Sequence, residues 1–217
     1  MKKTAINELL EIMARLRAPN GCPWDREQNH KSIRFHAVEE VYELIDAIEA
    51  EDDVEMAEEL GDILLQVVFH CQLAKERGAF DFEQVTRQIS EKLVRRHPHV
   101  FGAKKVKSVD EVWSNWEQIK KAEKKGTSHE RPSALDGIPH HLPALMRAEK
   151  LSKKARKAKL LPAKSGRSIS KAILSKELYS LAELAQENGW SAEALLRAET
   201  QKREKQFRRA EKSVHKS

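Results

Sequence analysis

Hydrophobic residues recur along most of the chain at intervals of three and four positions, the period of an amphipathic helix. In the first half of the chain the pattern predicts four helices, at about residues 6–16, 33–50, 53–77 and 81–96. Asp52 or Asp53 and Asp81 stand where helix N-caps are expected, and Gly78 stands where a helix ends. Helices of this length with short connections are typical of a helical bundle.

The second half of the chain continues the helical pattern with longer interruptions. One helix carries Trp113 and Trp116, and a segment rich in glycine and proline follows it. Three more helices are predicted, at about residues 142–159, 169–188 and 191–213, with a break at 162–168. We therefore expect an all-α protein in three parts, at residues 1–102, 103–141 and 142–217.

The composition is compatible with this helical fold. Glycine (8) and proline (7) are scarce for a turn-rich β architecture, while 34% of the residues are charged and the mean hydropathy is −0.67. No apolar run approaches the roughly 20 residues of a membrane span. The N-terminus leads directly into an amphipathic helix, and Cys22 and Cys71 suggest no disulfide framework. A cytoplasmic location and no membrane association are expected.

The net charge of +6 conceals two halves of opposite sign. Residues 1–102 contain 20 acidic and 13 basic residues, whereas residues 103–217 contain 14 acidic and 27 basic residues. An acidic first half suits cation binding, and a basic second half attracts anionic partners.

Five acids in the first half have a spacing that suits a metal site. Glu39, Glu40 and Glu43 project to one side of the second helix, and Glu59 and Asp62 share a side of the third. If the two helices pack antiparallel, at least four carboxylates meet. Mg²⁺ prefers oxygen ligands of this kind and completes its coordination with water and substrate phosphates.

Acids on one helix face are more often a solvated surface, so each motif alone is weak. The third helix argues against that reading, because residues 63–69 are apolar nearly all round and the helix should be buried on most sides. Glu59 and Asp62 share a helical sector with Gln66 and Phe69, and acids in a buried sector need a compensating cation. Gly61 removes a side chain where a helix or ligand is expected to approach.

These residues resemble the MazG nucleotide pyrophosphohydrolases, members of the all-α NTP pyrophosphatase group. The shared pattern is Glu-Glu-x-x-Glu, a spacer, and Glu-x-x-Asp. Further blocks that match the family lie at 16–25, 58–70 and 91–102, with a thinner match around 138–145. The resemblance implies a dimer-forming, MazG-type helical bundle that hydrolyses nucleoside triphosphates to monophosphates and pyrophosphate, with a house-cleaning role in the nucleotide pool.

The resemblance also implies roles for the acids. By position, Glu40, Glu43, Glu59 and Asp62 correspond to ligands of Mg²⁺, for which Mn²⁺ is a possible substitute. Glu39 corresponds to a residue that binds a second ion or orients the attacking water. Without a metal, such an acidic site would repel its own polyphosphate substrate.

Candidate substrate-binding residues are cationic or aromatic. Lys92, Arg95 and Arg96 are candidates for phosphate contacts, although cations at a helix C-terminus also complement the helix dipole. Lys31 is a weaker candidate. Trp24 could stack on a nucleobase or anchor its loop, and the second role is the commoner one.

Longer family members carry a second domain with its own acids, and residues 142–217 resemble a shortened version of it. Ile173 and Lys176 stand where the acid pair is expected, so we predict a truncated, non-catalytic second domain.

Two other functions are compatible with parts of the sequence. One is a non-catalytic helical dimer that binds nucleic acid or acidic partners through the basic second half. The other is a di-iron bundle, which the lack of Glu-x-x-His pairs disfavours.

Overall fold

The computed structural model describes residues 3–128, 130–162, 166 and 168–214, and these residues form helices, turns and loops without any strand. The predicted all-α class is confirmed. The helices are α1 (Ala5–Leu16), α2 (Pro23–Glu27), α3 (His36–Glu49), α4 (Asp53–Glu76), α5 (Phe82–Arg96), α6 (Pro98–Phe101), α7 (Val109–Lys124), α8 (Ala144–Lys157), α9 (Lys171–Glu187) and α10 (Ala192–Val214).

The predicted capping residues define the ends of the central helices. The Asp52 carboxylate accepts hydrogen bonds from the backbone of Val54 and Glu55 and so begins α4. Asp81 and Gln84 form a reciprocal capping box at the start of α5. Gly78 ends the preceding helix with a φ of +68°, a left-handed conformation that glycine adopts without strain.

Two short helices were not predicted. Pro23 and Pro98 interrupt the sequence pattern, but each lies in the first turn of a short helix, α2 and α6. Proline suits that position because the first turn needs no backbone N–H donor. Part of the predicted break at 162–168, namely 163–165 and 167, lies outside the described residues.

The chain divides into two compact units between Glu111 and Val112. In the first unit, α1 and the segment before α3 pack onto the second half of α4. The buried side chains at this contact are Met13, Ile33, Val68, Phe69 and Leu73. Gly21 allows the chain to turn tightly after α1, because a Cβ atom there would collide with the Leu16 carbonyl oxygen.

The second unit has its own core between α8 and α10. The expected linker contributes to that core, since Leu135 and Ile138 are buried against Leu151 and Ala155. No helix within the described ranges is both long enough and apolar enough to cross a membrane.

The expectation that α4 is buried on most sides is wrong for the single chain. Leu60, Leu64 and Val67 are at least 38% exposed, because α1 and α3 cover only part of the helix. The apolar stripe of α3 also faces outward; it comprises Val38, Val41, Ile45 and Ile48. A different face of α3 packs on α4, and it includes Glu40 and Ala47.

Candidate metal centre and nucleotide site

A tight turn between α3 and α4 brings the acids together. The turn centres on Glu51, which has a φ of +55°, and the Asp52 backbone N–H donates to the Ala47 carbonyl. In an antiparallel hairpin, residues equally distant from the turn lie opposite one another. Glu43 and Glu59 are each eight residues from Glu51.

Three of the five predicted acids converge. Glu40, Glu43 and Glu59 each offer a carboxylate oxygen, and these oxygens all lie within 4.8 Å of one another. Glu40 and Glu59 are half-buried, and the Oε2 atom of Glu59 is fully buried without a hydrogen-bond partner among the described residues. A buried carboxylate oxygen of this kind requires a cation or a donor to offset its desolvation.

Burial and neighbouring carboxylates both raise pKa values within the cluster. Burial raises the pKa of Glu40, and the Asp62 carboxylate and a hydrogen bond with Glu43 raise it further. Burial likewise raises the pKa of Glu59, followed by the charges of Glu43 and Asp62. The charges with the largest effects on these two groups are other carboxylates, so a divalent cation would stabilise the charged form of all of them.

Asp62 and Glu39 lie outside the closest trio. Asp62 is half-buried and near enough to raise the pKa of both Glu40 and Glu59. Glu39 is exposed, and its carboxylate lies 3.6 Å from the His36 ring. The sequence placed all five acids together, whereas the structure distinguishes a central trio, an adjacent aspartate and a peripheral glutamate.

Gly61 does not mark a close approach within the chain. A Cβ atom at Gly61 would meet no atom of the described residues within 4 Å, so no helix within that part of the chain makes the expected close approach.

The predicted substrate-binding residues are distributed over three elements. Trp24 lies at the start of α2, is 54% exposed, and has its ring 6.4 Å from the ring of His36. Lys31 is exposed in the turn before α3, and its backbone N–H donates to Asn29. On α5, which packs against α4, Lys92 and Arg96 are half-buried and Arg95 is exposed.

A histidine pair beside the site was not predicted. The Nδ1 atoms of His30 and His70 lie 2.8 Å apart, and their rings are stacked within 5° of parallel. Burial lowers the pKa of His70, and the neighbouring His30 ring lowers it further. The pair fixes the segment before α3 against α4. Only the hairpin register places the two rings together, because no sequence signal links positions forty residues apart.

Comparison with known proteins identifies the domain that contains these acids. Residues 28–101 match the MazG nucleotide pyrophosphohydrolase domain. This segment includes α3, α4 and all five acids. The chain belongs to the MazG family.

Curated relatives are identical to this chain at about half of the aligned positions. The Escherichia coli K12 nucleoside triphosphate pyrophosphohydrolase is 51% identical over 69% of this chain and 56% of its own length. The Thermotoga maritima nucleoside triphosphate pyrophosphohydrolase/pyrophosphatase MazG is 48% identical over 71% of this chain and 59% of its own length. The chain thus spans little more than half the length of these two MazG proteins.

A relative of more similar size aligns over most of this MazG chain. It is an uncharacterized 26.1 kDa protein of Streptomyces cacaoi, 39% identical over 88% of this chain and 76% of its own length. The similarity therefore extends through much of the second unit.

Proposed function

We propose that this chain hydrolyses nucleoside triphosphates, or their deoxy forms, to the monophosphate and pyrophosphate. The observation that carries the proposal is the convergence of Glu40, Glu43 and Glu59 within a MazG domain. Carboxylates that raise one another's pKa form a site for a hard divalent cation and, through it, for a polyphosphate. The names of the E. coli and T. maritima relatives support the same reaction.

The metal that suits this donor set is Mg²⁺, with Mn²⁺ as a substitute. Glu40, Glu43, Glu59 and Asp62 would hold it, and the orphaned Glu59 oxygen is the observation that best fits a cation. When bound, Mg²⁺ supplies charge neutralisation for the phosphates and for the pyrophosphate that leaves.

The residues of the chain orient and deprotonate water. Glu39, which is exposed beside the trio, accepts a proton from a water molecule that attacks phosphorus at the α–β linkage. The new P–O bond forms as the anhydride bond breaks, pyrophosphate leaves, and the proton passes to solvent. Lys92, Arg95 and Arg96 on α5, with Lys31 and Trp24, are the proposed contacts for phosphates and base.

We assign catalysis to the first unit alone. Along α9, Ile173 and Lys176 occupy the positions where the second domain of longer family members is expected to have acids. The acids of the second unit serve the scaffold instead: Glu193 caps the first N–H of α8, and Glu204 pairs with Arg147. Nucleotide-pool house-cleaning in the cytoplasm is the corresponding biological role.

We further propose that the chain forms a homodimer through α3 and α4. The outward faces of α3 and α4 leave Val41, Ile45, Leu60 and Leu64 exposed on two packed helices of one unit. Adjacent exposed apolar side chains of this number are typical of an interaction surface. A second copy that buries them would convert the α3–α4 hairpin into part of a larger bundle.

The decisive experiment measures pyrophosphate release from a panel of nucleoside triphosphates with Mg²⁺. We expect turnover by the wild type and none by Glu43→Ala or Asp62→Ala. Glu49→Ala is the matched control, since Glu49 is an exposed acid at the end of α3 outside the trio. Full activity in either site variant would contradict the assignment. Salt-dependent nucleic-acid binding without turnover would favour a binding module instead.

A further inference from the structure

The helix face that carries Glu59 continues to a second orphaned oxygen. Gln66 lies seven residues after Glu59, almost two full turns of α4, so the two side chains share one face. The Oε1 atom of Gln66 is buried and has no hydrogen-bond partner among the described residues, like Oε2 of Glu59. A buried carbonyl oxygen without a donor is costly, so a native structure rarely keeps one without a function.

Two contacts made by α4 lie on either side of Gln66 along the helix. On one side lies the acid trio, and on the other lies the His30–His70 pair with its 2.8 Å contact. At about 1.5 Å per helical residue, Gln66 stands roughly 10 Å from the level of Glu59 and roughly 6 Å from the levels of Asp62 and His70. Gln66 therefore lies between the acids and the histidines.

The α3 residue that is level with Gln66 is His36, which lies beside an aromatic ring. His36 and Gln66 are each fifteen residues from Glu51, so they occupy the same level on opposite helices. The His36 ring lies 6.4 Å from the ring of Trp24, which is largely exposed. If the phosphates of a substrate lie at the trio, its nucleoside lies to one side of it, and on this side the chain offers Gln66 and, level with it, the His36 ring with Trp24 beside it.

We infer that Gln66 positions the nucleoside of the substrate by accepting a hydrogen bond from an uncharged donor on the sugar or the base. The inference rests on the proposed function, because it takes the acid trio as the phosphate end of the site. Gln66 makes no contact with the reacting phosphorus in this arrangement. It fixes where the nucleoside lies and thereby contributes to substrate affinity.

The test compares Gln66→Met with Gln72→Met in pyrophosphate release. Methionine keeps the length of the side chain but cannot accept in the same way. Gln72 lies on the same helix and bonds Glu76 away from the trio, so Gln72→Met is a matched control. We expect Gln66→Met to raise KM about three- to tenfold with little change in kcat, and Gln72→Met to leave both unchanged.

Inhibition by inorganic tripolyphosphate separates nucleoside positioning from a packing role. Tripolyphosphate has no nucleoside, so its inhibition constant should be the same for wild type and Gln66→Met. An inhibition constant that rises together with KM would overturn the inference, since the substitution would then have disturbed the phosphate end. If Gln66→Met fails to fold, Gln66→Asn keeps a polar group and withdraws it from the site, so KM should rise there as well.

Modified substrates identify the donor. If a ribose hydroxyl donates, the difference between wild type and Gln66→Met disappears with 2′-deoxy or 2′,3′-dideoxy substrates. If the base donates, the difference persists with those sugars and varies with the base. Wild-type protein without any turnover would overturn both the proposed function and this inference. Wild-type turnover with a Gln66→Met variant of unchanged KM would overturn the inference alone.

Discussion

Glutamates in the two units lie in opposite electrostatic settings. In the first unit, Glu40 and Glu59 face other carboxylates, and their pKa values are raised. In the second unit, Glu204 accepts from Arg147 and Arg208, whose hydrogen bonds outweigh burial and lower its pKa. The pKa of Glu193 is lowered by the Ala144 backbone N–H and by Arg197.

This difference distinguishes a site from a scaffold. The paired acids of α10 accept hydrogen bonds from α8, Glu193 from the Ala144 backbone N–H and Glu204 from Arg147, and so hold α8 against α10. The acids of α3 and α4 repel one another within the folded chain, and that repulsion is a cost that a bound cation removes. A cluster that destabilises the empty fold is expected where function requires it.

The largest expected effect is on turnover. We expect Glu59→Gln to reduce pyrophosphate release at least about 100-fold, because it removes one charge from the trio that we propose as the metal site. The melting temperature should stay the same or rise, since the substitution also relieves repulsion. Parallel measurement of turnover and thermal unfolding checks both, and a variant that is inactive only because it unfolds would contradict the comparison.

The corresponding change in the second unit should affect stability instead. Glu204→Gln leaves the Arg147 guanidinium, which is 2% exposed, without a charged partner. We expect a loss of roughly 2–3 kcal/mol in the stability of this unit. Hydrogen exchange in α8 and α10 reports that loss locally, while turnover per folded molecule should remain that of the wild type.

Metal binding should stabilise the wild type and not the site variant. A cation at ten times its dissociation constant stabilises the folded state by about 1.4 kcal/mol. We expect Mg²⁺ to raise the melting temperature of wild type and of Glu204→Gln, and a chelator to reverse the rise. A similar rise in Glu59→Gln would show that the ion binds elsewhere.

The smallest expected effect concerns the Arg17–Glu76 ion pair, which links the end of α1 to the end of α4 at 2.7 Å. The hydrogen bond from Arg17 lowers the pKa of Glu76 below its ordinary value of 4.5. Because the folded pKa is depressed, the stabilisation is present above pH 4.5 and is lost as the pH falls through the folded pKa. Glu76 is 37% exposed, so Glu76→Gln should cost under about 1 kcal/mol at neutral pH.

Unfolding measured across the acidic range checks that sign. The wild type and Glu76→Gln should differ near neutrality and converge in acid. A difference that grows as the pH falls would contradict the assignment of the shift to Arg17.

Local features of the fold were predictable because they depend on nearby residues. Asp52, Asp81 and Gly78 mark helix ends through bonds and dihedral angles within a few positions. The acids were recognisable for the same reason, since positions three and four apart share a helix face. The short helices at Pro23 and Pro98 were missed because proline was interpreted only as a residue that ends a helix. Proline is also favoured in the first turn of a helix.

The burial of particular faces could not be predicted in this way. The outward α3 stripe around Val41 has the periodicity of a core face, yet α4 packs on the face of Glu40 and Ala47. Periodicity shows that a face is apolar without showing which neighbour covers it. The register of the hairpin, and with it the His30–His70 contact, follows from how the two helices pack.

The amino-acid sequence by itself determined the long helices, the caps at Asp52 and Asp81, and the acids along α3 and α4, because these follow from short-range geometry and residue chemistry. Tertiary structure alone decided which acids meet at one point and which oxygens of Glu59 and Gln66 are left buried without a partner. Convergence depends on the turn at Glu51 and on the packing of one helix against another. Those are long-range contacts, and no local pattern encodes their distances.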